Sequence, residues 1–328
     1  MTAAERLQDE HPTRREACDV SVLLPADFRL QSGERLARPE INLRLFGDPA
    51  RPMIAVAGGI SAGRAVADSP AEHGWWSDMV GAGRAIDLEK FCVAGFDFLP
   101  NPGEAALTVS SRDQARALAF ALTKINADGL AAFVGASYGG MVALAFAEEF
   151  PERLEKLCVI SAADRPHPAA TALRGVQRRI VALAGRLGAA QEGVSLARQL
   201  AMVTYRTPEE FAARFAHAPG EKAGDPYDIC SYLIARGAAY DMAPERYVTL
   251  SDSIDRHAVD AAKIAAPALF IASVSDRLVP AADIRRLAAQ VRRGAYAEFP
   301  SLYGHDAFLK EAATIGPVIK SFIEEERP

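Results

Sequence analysis

The chain has 328 residues, half of them hydrophobic and 24% charged, enough apolar material to bury a large core in one elaborated α/β domain or in two. A formal net charge of −5 argues against a nucleic-acid surface, and no apolar run is long enough to span a bilayer. Four cysteines, Cys18, Cys92, Cys158 and Cys230, stand far apart without a Cys-x-x-Cys pair, so neither a zinc site nor a disulfide framework is expected.

Residues 1–18 lack the apolar stretch of a signal peptide and read as a disordered start, which leaves cytoplasmic residence as the default. Runs at 20–24, 41–46 and 53–57 then predict three strands, the third ending in Gly58-Gly59, and residues 91–96 predict a fourth. Helical periodicity over 112–125 leads to an apolar strand at 130–134, a Gly-rich turn, and a helix whose Ala143, Leu144, Ala147 and Phe150 recur at helical spacing before Pro151. A further strand follows at 156–161. Strands alternating with helices imply a mostly parallel sheet with helices on both faces.

After Asp164 the alternation breaks. From 165 to 257 the chain reads as helices alone, punctuated by Gly and Pro, and Arg174, Arg178 and Arg179 read as a solvated helix face. Alternation returns with a strand at 268–273, a helix at 281–291, a strand at 295–299 and a final helix at 315–324. The expected architecture is therefore an α/β core from 19–164 and 258–328, interrupted by a helical lid at 165–257.

The chemistry starts at Gly135-Ala136-Ser137-Tyr138-Gly139. Glycines two residues either side of Ser137 let strand and helix backbones cross closely while the serine takes a strained, exposed conformation. The Tyr138 N–H at the helix start is then aimed where an oxyanion would develop. A serine hydroxyl needs a base, and the base an acid that fixes its tautomer. Asp276 and His305 follow in that order, each just past the end of a predicted strand and on the same sheet edge as Ser137. Taken alone, Asp276 serves equally as a helix cap and His305 as an ordinary loop histidine; jointly with Ser137 they give the nucleophile, acid, base order of α/β-hydrolase folds. The second oxyanion donor is expected from the loop after the third strand, at Gly59, with Ile60 as the alternative.

These motifs carry a resemblance. GASYGGMVAL, QLAMVTYRTPEEFAARF, SYLIARGAAYDMAPERYVTLSDSID and YGHDAFLKE together resemble the homoserine O-acyltransferases of the α/β-hydrolase superfamily, over nearly the whole chain from about residue 41. GGISAGR, GWWSDMVGAGRAID and SYGGM look closer to the succinyl-transferring branch; acetyl-transferring members usually have Leu-Thr-Gly before a histidine in place of the first, and SMGG in place of Ser137-Tyr138-Gly139-Gly140. The resemblance implies a ping-pong mechanism with an acyl-CoA co-substrate and homoserine, methionine biosynthesis, no resident cofactor or metal, and a homodimer through the lid helices. It assigns Ser137, Asp276 and His305 to catalysis, Arg206 to the homoserine carboxylate and Asp306 to its ammonium, with Tyr247 near the site or merely packing the lid. A planar guanidinium and a carboxylate suit the two ends of an amino acid. Alternatively, Arg206 neutralises a helix end and Asp306 faces solvent. A succinyl donor also requires a partner for its terminal carboxylate, and Arg64 in GGISAGR is the cation nearest in sequence; a surface role is equally open to it. The alternatives are acetyl transfer to homoserine, succinyl transfer to a serine-like acceptor, simple ester hydrolysis, and a non-catalytic scaffold.

Overall fold

A computed structural model describes residues 17–216, 218–222 and 224–325. Its eight-stranded sheet holds β1 (Cys18–Leu23), β2 (Glu40–Phe46), β3 (Met53–Ala57), β6 (Cys92–Phe96), β7 (Ala132–Ala136), β8 (Leu157–Ile160), β9 (Ala268–Ser273) and β10 (Gly294–Phe299), while β4 (Val80–Gly81) and β5 (Ile86–Asp87) form a separate pair. The order across the large sheet is β1-β2-β6-β3-β7-β8-β9-β10. Only β2 runs against its neighbours; every pairing from β6 to β10 is parallel.

The central strands are apolar throughout because both their faces are covered. Every residue of β3, β6, β7, β8 and β9 is buried, whereas the edge strands β1 and β10 keep exposed positions. Side chains alternate between two cores: Phe133 and Val159 point to one, Val134 and Cys158 to the other. The first core is closed by α1 (Ser111–Lys124), α2 (Tyr138–Glu149) and α8 (Ala281–Gln290). The second is closed by α10 (Ala312–Glu324), through Ile315, Ile319 and Ile323, and by Trp76 and Met79. Ser110 and Asp113 form a capping box that starts α1. All residues of α2 except Glu149 are buried, so this helix is apolar around its whole circumference.

Between β8 and β9 the described residues form five α-helices, α3 (Pro168–Arg186), α4 (Ala190–Tyr205), α5 (Pro208–Arg214), α6 (Asp228–Ala238) and α7 (Pro244–Asp255), with a small core of Val181, Val194, Ala197 and Tyr247. A short α9 (Ala307–Lys310) precedes α10. Three expectations shift. Of the disordered start, residues 1–16 lie outside the described residues, but Cys18 already belongs to β1, opposite Leu45. The strand expected at 130–134 runs two residues later, because Leu130 makes only an isolated bridge to Leu154 while Gly135 and Ala136 continue the ladder toward the serine. The β4–β5 pair escapes sequence reading, since two-residue strands are too short to show alternation.

Candidate active site

The loops that leave β3, β7, β8, β9 and β10 emerge together at the carboxyl edge of the sheet, where open α/β sheets place their sites. Ser137 sits at the β7–α2 turn with φ +55° and ψ −123°, a conformation disfavoured for any side chain. The surroundings impose it. A Cβ on Gly135 would strike the carbonyl of Gly139, and one on Gly139 the carbonyl of Ala57. Ser137 donates its backbone N–H to Ile160 at 2.9 Å, and Gly139 donates to Gly58 at 2.7 Å, which draws the loop after β3 beside the serine. Among the described residues the N–H groups of Tyr138, Gly59 and Ile60 meet no backbone acceptor, and all three residues line the adjoining cavity. Their placement suits an oxyanion hole.

Ser137, His305 and Asp276 form one hydrogen-bonded chain. The Ser137 Oγ lies 2.8 Å from His305 Nε2, and His305 Nδ1 lies 2.7 Å from Asp276 Oδ2. The second oxygen of Asp276 accepts the backbone N–H groups of Leu278 at 2.9 Å and Val279 at 3.0 Å. Of the two roles open to this aspartate it takes histidine binding: α8 has Pro280 at its N-cap and no side-chain cap, and the turn at 276–279 fixes the carboxylate that fixes the ring. Burial of His305 disfavours its charged form, but the Asp276 carboxylate, by charge and hydrogen bond, outweighs that and raises its pKa above the ordinary value, with Asp306 adding to the rise. A base of this kind takes the serine proton and holds the resulting imidazolium.

The serine opens into a cavity of about 240 Å³ that the helical insertion roofs. Asp306 and Tyr247 reach it, the latter donating its phenol to Gln177 at 3.2 Å. Arg206 does not line it. Its Nε is held by Asp306 at 2.8 Å and its Nη1 by Glu210 at 2.8 Å, so the two residues assigned to opposite ends of an amino acid are ion-paired with each other. Arg64 stands elsewhere: it binds Asp97 at 2.5 Å and Asp19 at 3.2 Å and borders a different recess, because its loop turns the side chain toward β1 and the residue after β6. The structure therefore does not bring Arg64 to the serine. Several hydrogen bonds tie core to insertion, among them Tyr138 Oη to Ser253 Oγ at 2.6 Å, Ser61 Oγ to Tyr240 Oη at 2.9 Å and Ser111 Oγ to His257 Nδ1 at 2.7 Å. Among the described residues no cluster of His, Cys, Asp and Glu could hold a metal ion, and no helix is long and apolar enough to cross a membrane.

Comparison with known proteins agrees with this geometry. The α/β hydrolase fold family matches residues 72–312. A homoserine O-succinyltransferase from Xanthomonas campestris pv. campestris is 43% identical over 289 residues, covering 85% of this chain and 78% of that protein. The chain belongs to the homoserine O-acyltransferases of the α/β-hydrolase fold. A homoserine O-acetyltransferase of this family from Deinococcus radiodurans is 30% identical over 313 residues, 90% of this chain and 89% of that one. Among solved structures, homoserine O-acetyltransferase from Bacillus anthracis superposes with a TM-score of 0.87 over 95% of this chain and 99% of its own, at 15% identity. Esterase E22 superposes with a TM-score of 0.83 at 18% identity, covering 94% of this chain and all of that one. At such identities these two likenesses concern the fold alone.

Sequence reading missed the cavity's own cations. Arg174 and Arg178 do not form a solvated face: both bind Asp255, whose side chain is only 8% exposed, and Arg174 lines the cavity, as does Arg198. Asp255 closes the SDSID segment, 81 residues after Arg174 in sequence, so no local spacing could pair them. Arg179, by contrast, is exposed as expected. Ser161, buried with φ +51° just past β8, also lines the cavity without any motif to mark it, and so does Tyr205, whose ring centroid lies 5.9 Å from that of His305 and to which the resemblance assigned no role.

Proposed function

We propose that this protein is a homoserine O-succinyltransferase that works through a succinyl-serine intermediate. The observation that carries the reading is the 43% identity with the Xanthomonas enzyme over most of both chains. His305 takes the Ser137 proton as Oγ attacks the thioester carbonyl, and the backbone N–H groups of Tyr138 and Gly59 bind the oxyanion. Collapse expels the CoA sulfur, which leaves with the proton from His305. In the second half His305 takes the proton of the homoserine hydroxyl, whose oxygen attacks the acyl-serine; collapse returns the proton to Ser137 Oγ and frees O-succinylhomoserine. Incubation with homoserine and either succinyl-CoA or acetyl-CoA, with the product identified by mass, tests the assignment. Exclusive formation of O-acetylhomoserine would overturn the succinyl reading, and hydrolysis of the thioester without transfer would favour a hydrolase.

For the acceptor, Asp306 faces the cavity with its Oδ2 accepting Arg206 Nε at 2.8 Å, which leaves its other oxygen for an ammonium. Asp306→Asn is expected to raise the KM for homoserine by about ten- to a hundredfold, the scale of one charge-assisted hydrogen bond, with succinylation of Ser137 preserved. An unchanged KM in a variant that still acylates would remove Asp306 from the acceptor site.

The remaining expectations of the family reading are a cytoplasmic protein and a homodimer. Leu183 on α3, Leu196 and Val203 on α4 and Ile234 on α6 are exposed, which supports pairing through the insertion. Sedimentation equilibrium at micromolar concentration is expected to return twice the chain mass; a monomer would rule the pairing out.

A further inference from the structure

Two arginines reach the cavity, and they are held in different ways. Arg174 is matched by Asp255, whose Oδ1 accepts its Nε at 2.8 Å while Oδ2 accepts Arg178 at 2.7 Å. Arg198, near the middle of α4, has no carboxylate within ion-pair distance among the described residues. Its guanidinium carbon lies 4.9 Å from the ring centroid of Tyr240 and 5.5 Å from that of Tyr205. Cation–π contacts offset part of the cost of drawing a charge out of water, but they supply no negative charge. Aromatic faces also leave the edge of a guanidinium, with its N–H fork, for a planar anion.

The position of this fork decides which anion. Tyr205 bridges Arg198 and the reacting centre, since its ring also lies 5.9 Å from the imidazole of His305, which holds the Ser137 hydroxyl. An anion on Arg198 is thus set one aromatic ring away from the nucleophile. A succinyl thioester has this layout, with two methylenes between the carbonyl that Ser137 attacks and a terminal carboxylate. An acetyl group has nothing to offer the arginine. The acceptor's ammonium has its partner in Asp306, and Arg64 is occupied in its own recess.

We propose that Arg198, clasped by Tyr205 and Tyr240, is the specificity-determining residue that receives the terminal carboxylate of the succinyl donor. This rests on the reading of the enzyme as a succinyltransferase, and makes donor choice a property of the first half-reaction. With succinyl-CoA the carboxylate forms a bidentate pair with the guanidinium; with acetyl-CoA the cavity encloses an unmatched cation.

The test is the second-order rate of Ser137 acylation, followed by CoA release and by intact-protein mass, with succinyl-CoA and with acetyl-CoA and no acceptor. Arg198→Gln keeps most of the side-chain stem and is expected to lower the succinyl rate ten- to a hundredfold relative to the acetyl rate, while the KM for homoserine is unchanged. Arg198→Lys, which keeps the charge but not the fork, is expected to fall between the two. Because the donor ratio is read from molecules that react, partial unfolding of a variant does not alter it. A wild-type ratio in both variants would overturn the proposal. So would a raised homoserine KM with acylation intact, which would place the acceptor on Arg198, or a changed ratio in Arg174→Gln alone. Failure of the wild type to accept succinyl-CoA would instead overturn the succinyltransferase reading itself.

Discussion

Ser137→Ala is expected to lower kcat/KM by about four to six orders of magnitude while the protein still folds. Alanine carries a Cβ like serine and meets the same backbone strain at φ +55°, so the turn is neither relaxed nor burdened further. What disappears is the Oγ that stands 2.8 Å from His305 Nε2, and with it the covalent path. The remaining N–H groups of Tyr138 and Gly59 can still polarise a bound thioester, which accounts for residual turnover. Thermal melting and steady-state rates measured together check this. A loss below tenfold, in a variant that melts like the wild type, would mean that the acyl group passes directly from CoA to the acceptor.

Asp276→Asn is expected to cost about four orders of magnitude in kcat, and to move the pH profile in a defined direction. Asp276 Oδ2 receives the Nδ1 proton of His305 and leaves Nε2 free to accept from serine. An amide that turned its NH₂ toward Nδ1 would stabilise the opposite tautomer, in which Nε2 already holds a proton and cannot act as a base. The wild-type histidine is raised above its ordinary value, so activity should fall as the medium is acidified through a midpoint above 6.5, where the imidazole becomes charged. Without the carboxylate, burial is opposed only by the weaker pull of Asp306, and the neutral ring is favoured. The acid limb of Asp276→Asn should therefore move to lower pH even as its plateau collapses. An unmoved midpoint would show that a group other than His305 governs that limb.

The parts of this molecule legible in its sequence are those whose cause is local. The apolar run 53–57 coincides with the buried β3, the run 91–96 holds the buried β6 from Cys92 on, and Ala143, Leu144 and Ala147 lie on α2 with Phe150 at its C-cap. Ser137, Asp276 and His305 could be placed on one edge without coordinates, because each follows a parallel strand and such strands all end on the same side. The cavity was less legible because its walls come from contacts distant in sequence. Arg174 reads as solvated until Asp255 folds against it from α7, and Arg198 becomes a cavity cation only when Tyr205 and Tyr240 meet across it. Arg64 failed for the converse reason. Nearness in sequence to the Gly58-Gly59 turn carries no information about which way a loop side chain points, and Asp97, 33 residues on, captures it.

In the proposed mechanism the acyl group crosses in two separate halves through Ser137. Mixing the protein with succinyl-CoA in the absence of homoserine, then measuring intact mass and mapping the modified peptide, tests it most directly. The expected result is stoichiometric release of CoA, one succinyl group on Ser137, and discharge of that group to O-succinylhomoserine when homoserine is added. CoA release that requires homoserine, with no mass added to the serine peptide, would contradict it.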